Sequence, residues 1–325
     1  MRALICVEYG SAELLIIGDR ALPELKSDEV RIDVRAAGIN FPDALVIAGK
    51  YQIKPPLPFI PGGECAGVIS AVGDNVKHFK VGDRVIAMPG MAAFAEQVHV
   101  KEKLLVPMPD KLSFEQAAGF CITYATSYYA LKQRAAIQAG ETLVVLGAAG
   151  GVGVTAIQLG KALGARVIAC ASTAEKLQFC REVGADELIN YSQENLKERI
   201  KELTGGRGAD VIFDPVGGDY TEEAYRSIAW SGRYLVIGFA SGDIPRLPLN
   251  LPLLKAGDIM GIFWGSWAQR DPEANLQNFA ELLQMVEEGK LNPLTTEIYR
   301  FEEYIAAFAA ITERRARGKV ILTLG

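Results

Sequence analysis

One stretch limits what this chain can fold into: GETLVVLGAAGGVGVTAIQLGKALGARVIA, starting at Gly140. An apolar strand pattern, Thr142 to Gly147, runs into a glycine-rich turn and then directly into a helical pattern from Val152 to Leu163. Such a unit aims backbone N–H groups and the positive end of the helix dipole at one point, the arrangement that holds a phosphate. The spacing departs from Gly-x-Gly-x-x-Gly: Ala148 takes the first place, with Gly150 and Gly153 in the other two and Gly147 and Gly151 around them. Glycines alone could be a tight turn without a ligand. Set between this strand and this helix, they point to a phosphate site.

The surrounding pattern fixes the architecture. From residue 124 onward, strands and helices alternate: ARVIACA (165–171), AEKLQFCREVG (174–184), ELINY (187–191), NLKERIKELTG (195–205), ADVIFD (209–214), a helix near 219–229 and RYLVIG (233–238). Continuous Val/Ile/Leu strands between amphipathic helices predict a doubly wound parallel sheet covered on both faces, an α/β unit over residues 124–263. Residues 1–123 read instead as short strands and turns, among them EVRIDVRAAGI (29–39), ECAGVISAVG (64–73) and VGDRVIAM (81–88). No helix of ordinary length is expected before SFEQAAGF (113–120), and Pro55, Pro56, Pro58 and Pro61 exclude one from their loop. Residues 264–325 hold two helical patterns and a terminal strand, KVILTL (319–324). That tail is too short for a core of its own, so it is expected to return to the first domain.

Composition excludes several classes. The formal charge of -5 argues against a nucleic-acid partner, which needs a basic field. No window approaches about 18 uninterrupted apolar residues, so no membrane span is expected, and no secretory signal pattern is read at the N-terminus. A cytoplasmic protein is the expectation. Cys6, Cys65, Cys121, Cys170 and Cys180 are scattered without a Cys-x-x-Cys pair, which fits buried free thiols in a reducing compartment.

The end of the second strand of the parallel unit bears on the cofactor. Dinucleotide sites that prefer NAD carry an acidic residue there, about 20 residues beyond the glycine turn. Here the strand tip is Ala171-Ser172-Thr173, and Lys176 lies one helical turn on, where an ammonium could pair with a 2′-phosphate. Glu175 already lies inside the helix and is expected to face outward. NADPH is therefore the expected cofactor, although Lys176 could equally be an ordinary solvated helix lysine.

Longer motifs carry a family resemblance along nearly the whole chain. AAGINFPDALVIAGKY (36–51), PFIPGGECAGVISAVGDNVKHFKVGDRV (58–85), LGAAGGVGVTAIQLGKALGARVIA (146–169) and GADVIFDPVGG (208–218) occur in order. With them the chain resembles the medium-chain dehydrogenase/reductase superfamily, in its zinc-free quinone oxidoreductase, zeta-crystallin-like branch. The resemblance implies a Rossmann domain inserted in a β-rich chaperonin-10-like catalytic domain, with NADPH in the cleft. It also implies a homodimer formed near GDIMGIFW (257–264). Ala149, Gly150, Gly151 and Val152 would hold the pyrophosphate, and Ser172, Lys176 and Tyr191 would surround the 2′-phosphate. Thr126, Gly238, Phe239, Phe263 and Gly265 would border the nicotinamide, and Lys319 would also contact the cofactor. Tyr191 could instead be core packing at the end of its strand.

Departures from the metal-dependent relatives are equally informative. Where those carry a cysteine and a Gly-His-Glu triplet, this chain has Ala37-Gly38-Ile39 and Gly62-Gly63-Glu64, and the third ligand's place falls near Ile122. No metal is expected, since Cys121 alone cannot make a three-ligand catalytic site. Hydride transfer to an already activated acceptor needs only a hydrogen-bond donor near the oxygen that gathers charge. The resemblance places Asn40 and Tyr51 in that role; a turn-stabilising asparagine and a plain loop tyrosine are the alternatives. A second tyrosine often found in the branch is Leu45 here. The expected substrate is a quinone, with an enone, enal or enoyl thioester as alternatives. An NADPH-binding structural protein with little turnover is a further reading.

Overall fold

The strand pattern of the N-terminal region is set by burial that changes halfway along one long strand. Residues 1–324 are described by the computed structural model. Arg2–Cys6 (β1) and Leu15–Asp19 (β2) pair as a separate antiparallel ribbon. In Glu29–Ile39 (β3), Val30, Ile32 and Val34 are buried at every second position, and from Ala36 onward every residue is buried. The first half thus covers a core with one face, and the second half is enclosed on both. Glu64–Val72 (β4), Arg84–Ala87 (β5), Gln97–Lys101 (β6) and Leu105–Pro107 (β7) add antiparallel strands to this sheet.

Between β3 and β4 lies a helix that the sequence reading does not expect, Phe41–Ile47 (α1). Its start is fixed by Asn40 and Asp43: the Asn40 backbone N–H donates to Asp43 Oδ2 at 2.7 Å, with Pro42 in the first turn. The apolar run Ala44–Ile47 carries no visible helical periodicity over so few residues, which hid it. Phe114–Ala118 (α2) has the reciprocal cap of Ser113 and Gln116.

The second unit begins within Cys121–Tyr128 (α3) and is doubly wound, as expected. Thr142–Val145 (β8), Gly151–Ala162 (α4), Arg166–Ala171 (β9), Ala174–Val183 (α5), Glu187–Asn190 (β10) and Leu196–Leu203 (α6) form one half. Ala209–Asp214 (β11), Tyr220–Arg226 (α7), Ile228–Val236 (β12), Asn250–Lys255 (α8) and Asp258–Gly261 (β13) form the other. All pairings are parallel, in the order β10-β9-β8-β11-β12-β13. The order reverses between β8 and β11, the switch point where such sheets take their ligands.

The expected boundary at residue 264 is corrected: the second unit runs to Asn292. Trp264–Arg270 (α9) and Pro272–Glu287 (α10) belong to it, because their contacts are spent there. Trp267 stacks on Tyr129 at 4.5 Å, Gln133 bonds Asn278, and Tyr128 and Lys132 both reach Glu281. The composition change near 264 marks the end of the parallel sheet, not the end of the core it supports. Only from Pro293 does the chain return to the first unit. There Thr295–Arg300 (β14), Tyr304–Thr312 (α11) and Lys319–Thr323 (β15) complete a seven-stranded sheet, β14-β15-β3-β4-β5-β7 with β6 also on β3. Among the described residues no helix is long and apolar enough to cross a membrane.

Candidate functional site

In the second unit, the residues expected at the cofactor collect along the C-terminal edge of the parallel sheet. After β8, the Ala148 N–H is tied to the Cys170 carbonyl of β9 at 3.0 Å, so the turn is anchored to its neighbour. Gly150 then caps α4 without any side-chain bond, and the first turn of α4 holds no acidic residue. The helix's leading N–H groups and its dipole therefore meet no competing carboxylate. Gly153 explains the close turn: a Cβ there would sit 2.5 Å from the Gly147 carbonyl oxygen. These features fit a dinucleotide's pyrophosphate.

At the end of β9, Thr173 Oγ1 caps α5 by accepting the Lys176 N–H at 3.3 Å. Lys176 is half-buried in the first helical turn, whereas Glu175 is exposed. Tyr191 follows β10, its N–H bonded to the Ala171 carbonyl, which brings it to the strand tip that holds Ser172. Its ring also lies tilted against that of Tyr220, centroids 4.3 Å apart, and packs against the unit's core, so it is a packing residue whatever else it touches. Gly238 and Phe239 follow β12, and Phe263 and Gly265 follow β13, with Phe263 exposed. Thr126 lies on α3, which is joined to α4 through Ser127, whose hydroxyl donates to the Val152 carbonyl at 3.0 Å and lies 2.8 Å from the Thr155 hydroxyl.

Sequence reasoning missed Asp214 at the end of β11. It is buried and accepts from the N–H groups of Val216 and Gly217 at 2.7 and 2.9 Å, and from the hydroxyls of Thr221 and Tyr234. The signal was present in Asp-Pro-Val-Gly, where an aspartate folds the following backbone onto itself.

In the first unit a buried polar cluster surrounds Asn40. Its Oδ1 accepts from Lys319 Nζ at 2.6 Å, and its Nδ2 donates to Glu64 Oε1 at 2.9 Å and more weakly to the Gly38 carbonyl at 3.4 Å. An ammonium on one side and a carboxylate on the other fix which amide atom is which. Asn40 is 7% exposed, and its amide is fully engaged inside the protein. That is the turn-stabilising role, not a free donor for substrate. Lys319 is likewise engaged within this unit: its ammonium lies 2.7 Å from Glu64 Oε1 with 6% of its side chain exposed.

Tyr51 stands apart from this saturation. It is half-buried on the loop after α1, and among the described residues its hydroxyl has no hydrogen-bond partner. Burial, and then the nearby Asp43, raises its pKa, so it stays a proton donor. Burial pushes the Asp43 carboxyl up to about 7, against the bond from Asn40 and the charge of Lys319, with Glu64 adding to the rise. Leu45 is half-buried on α1.

Comparison with known proteins places the chain. Residues 26–110 match the family described as alcohol dehydrogenase GroES-like domain, and residues 151–286 that described as zinc-binding dehydrogenase. Quinone oxidoreductase-like protein 2 of Bos taurus is 40% identical over 324 residues, covering 99% of this chain and 92% of that protein. The chain belongs to the quinone oxidoreductase branch of the medium-chain dehydrogenase/reductase superfamily. Its structure resembles the Escherichia coli quinone oxidoreductase complexed with NADPH, at a TM-score of 0.93 and 30% identity over the whole of both chains. It also resembles the CurK enoyl reductase, at a TM-score of 0.89 and 28% identity, covering 100% of this chain and 99% of the other. The family is one of oxidoreductases.

One family description names zinc, and the residues here do not fit that metal. Gly38, Ile39, Gly63 and Ile122 offer no side-chain donors. Burial pushes the Cys65 thiol up to about 12 and Cys121 well above its ordinary value, so neither is a thiolate. The Glu64 carboxylate beside them is already paired with the Lys319 ammonium at 2.7 Å. Among the described residues no group of three or more His, Cys, Asp or Glu side chains is arranged to hold a metal.

Proposed function

We propose that the protein is a metal-independent, NADPH-dependent reductase that transfers hydride to a quinone, and that Tyr51 is its hydrogen-bond donor. The observation that carries this reading is the contrast between two neighbours in the first unit. Asn40 has spent its amide, whereas Tyr51 keeps an unengaged, protonated hydroxyl. The glycine turn, with Gly150, Gly151 and Val152 at the start of α4, would bind the pyrophosphate. Ser172, Lys176 and Tyr191 would take the 2′-phosphate, a preference supported by the lack of an acidic residue at the tip of β9. Bound there, NADPH would supply a hydride. The protein's own part is to hold the acceptor oxygen against the Tyr51 hydroxyl while charge gathers on it.

The second reading, reduction of an enone or enoyl thioester, is favoured by the likeness to an enoyl reductase. The homodimer would form by β13, the outer strand of its sheet, beside the exposed side chains of Leu249, Leu253 and Ile259. NADPH oxidation followed with a quinone, an enal and an enoyl-CoA tests the proposal. Turnover of the quinone fastest supports it, preference for the enoyl-CoA selects the second reading, and no oxidation with any acceptor overturns both.

A further inference from the structure

Lys319 opens β15, yet its side chain runs into the unit and the residue is 5% exposed. Its stem passes two glycines. A Cβ on Gly119 would lie 2.5 Å from Lys319 Cγ, and one on Gly38 would lie 2.9 Å from Cε and 2.9 Å from Glu64 Oε1. A slot of this kind is shaped for a long, straight side chain. At its end three acceptors meet the ammonium: the Ile39 carbonyl at 3.0 Å, Asn40 Oδ1 at 2.6 Å and Glu64 Oε1 at 2.7 Å. An ammonium has three protons, so none is left for a substrate.

The bonds continue outward from this cation. Glu64, wholly buried, turns Oε2 to the Ile122 N–H at 2.8 Å. The end of β3, the start of β4, the first turn of α3 and the start of β15 are thus tied to one ion pair. These include the places where metal-dependent relatives keep their ligands. From Asn40 the constraint passes to α1 through the Asn40–Asp43 cap, and the end of α1 is held by the Gly49 N–H on Val46 and the Lys50 N–H on Leu45. Tyr51 is the next residue.

We infer that Lys319 is a positioning residue for the reaction: paired with Glu64, it orients Asn40 and, through α1, the loop that carries Tyr51. Its effect on rate rests on the proposed role of Tyr51; its effect on α1 does not. The test uses the full chain with both charges removed, Lys319→Met with Glu64→Gln, so that no unpaired buried carboxylate remains to unfold the unit. Hydrogen exchange should rise in residues 40–52 while β4, β5 and the second unit stay protected. NADPH affinity should hold, and kcat should fall roughly 10- to 100-fold with little change in the acceptor KM, the scale seen when a residue behind a functional group is removed. Wild-type rate and exchange in the double variant would reduce the pair to a replaceable buried ion pair and overturn the inference. Faster exchange throughout residues 1–122 would overturn it too, as general destabilisation. If the unaltered protein fails to oxidise NADPH with every acceptor tried, the proposed reaction fails, and exchange over residues 40–52 still decides the lysine's role.

Discussion

The two units build their functional surfaces by opposite means. In the second, the candidate phosphate cradle is backbone: a turn, a helix start and a glycine whose missing side chain lets α4 approach the Gly147 carbonyl. All of it comes from one contiguous stretch. In the first, the cluster is made of side chains, Asn40, Asp43, Glu64 and Lys319, gathered from distant parts of the chain. A contiguous backbone site survives substitution of its neighbours, whereas a side-chain network depends on each member's charge. The first unit should therefore be the more fragile and the more sensitive to pH.

The largest effect is expected from Lys319→Met alone. It leaves the Glu64 carboxylate buried without a counter-charge, which should cost about 3–5 kcal/mol. Chemical denaturation of the single variant against the Lys319→Met/Glu64→Gln pair checks this; equal stabilities would mean that the ion pair contributes little to fragility. Tyr51→Phe comes next, with the reverse signature. Its rate should drop roughly 10- to 1,000-fold with NADPH affinity and stability unchanged, more for an enone than for a quinone. A thermal midpoint that moves as much as the rate would make Tyr51 a packing residue.

Lys176→Ala probes the other surface. Losing one charge-assisted phosphate contact should weaken NADPH by roughly 10- to 100-fold, about 1.5–3 kcal/mol, and leave NADH alone. Fluorescence titration of both cofactors reads it, and parallel losses would show that Lys176 does not select the phosphate. The last change concerns pH. Burial lifts the Asp43 carboxyl from its ordinary 3.8 to about 7 in the folded state, opposed by the Asn40 N–H and the Lys319 charge and helped by Glu64. Over that interval the folded state keeps a proton the unfolded chain has released, so this stabilising contribution is present at low pH and lost as pH rises through about 7. Asp43→Asn should flatten the fall in stability across that window, as measured by denaturation at a series of pH values. An unchanged slope would place the titration elsewhere.

The same contrast explains what the sequence could reveal. The strand, glycine turn and helix from Gly140 to Ala169 are local, so the doubly wound parallel sheet was legible. Asn40 was read as a substrate donor or a turn-stabilising residue, and Lys319 as a cofactor contact. Nothing near either residue announces that their partners are each other and Glu64. The cap of α1 was readable in Asn40-Phe41-Pro42-Asp43, yet the helix is too short for its periodicity to register. The boundary at 264 failed because helices that cover a sheet's own α3 look, in sequence, like any other amphipathic pair.

The place of β15 also shapes how the protein must be made. It comes last in sequence among the strands but lies inside its sheet, between β14 and β3, pairing antiparallel with Ala36–Ile39. During synthesis the Thr123–Asn292 unit is complete while that stretch of β3 still exposes unpaired backbone, and Glu64 waits without its cation. Open strand edges of this kind invite pairing with other chains. A nascent chain stalled before Lys319 would thus carry a finished dinucleotide fold alongside an open, aggregation-prone sheet edge at residues 36–39.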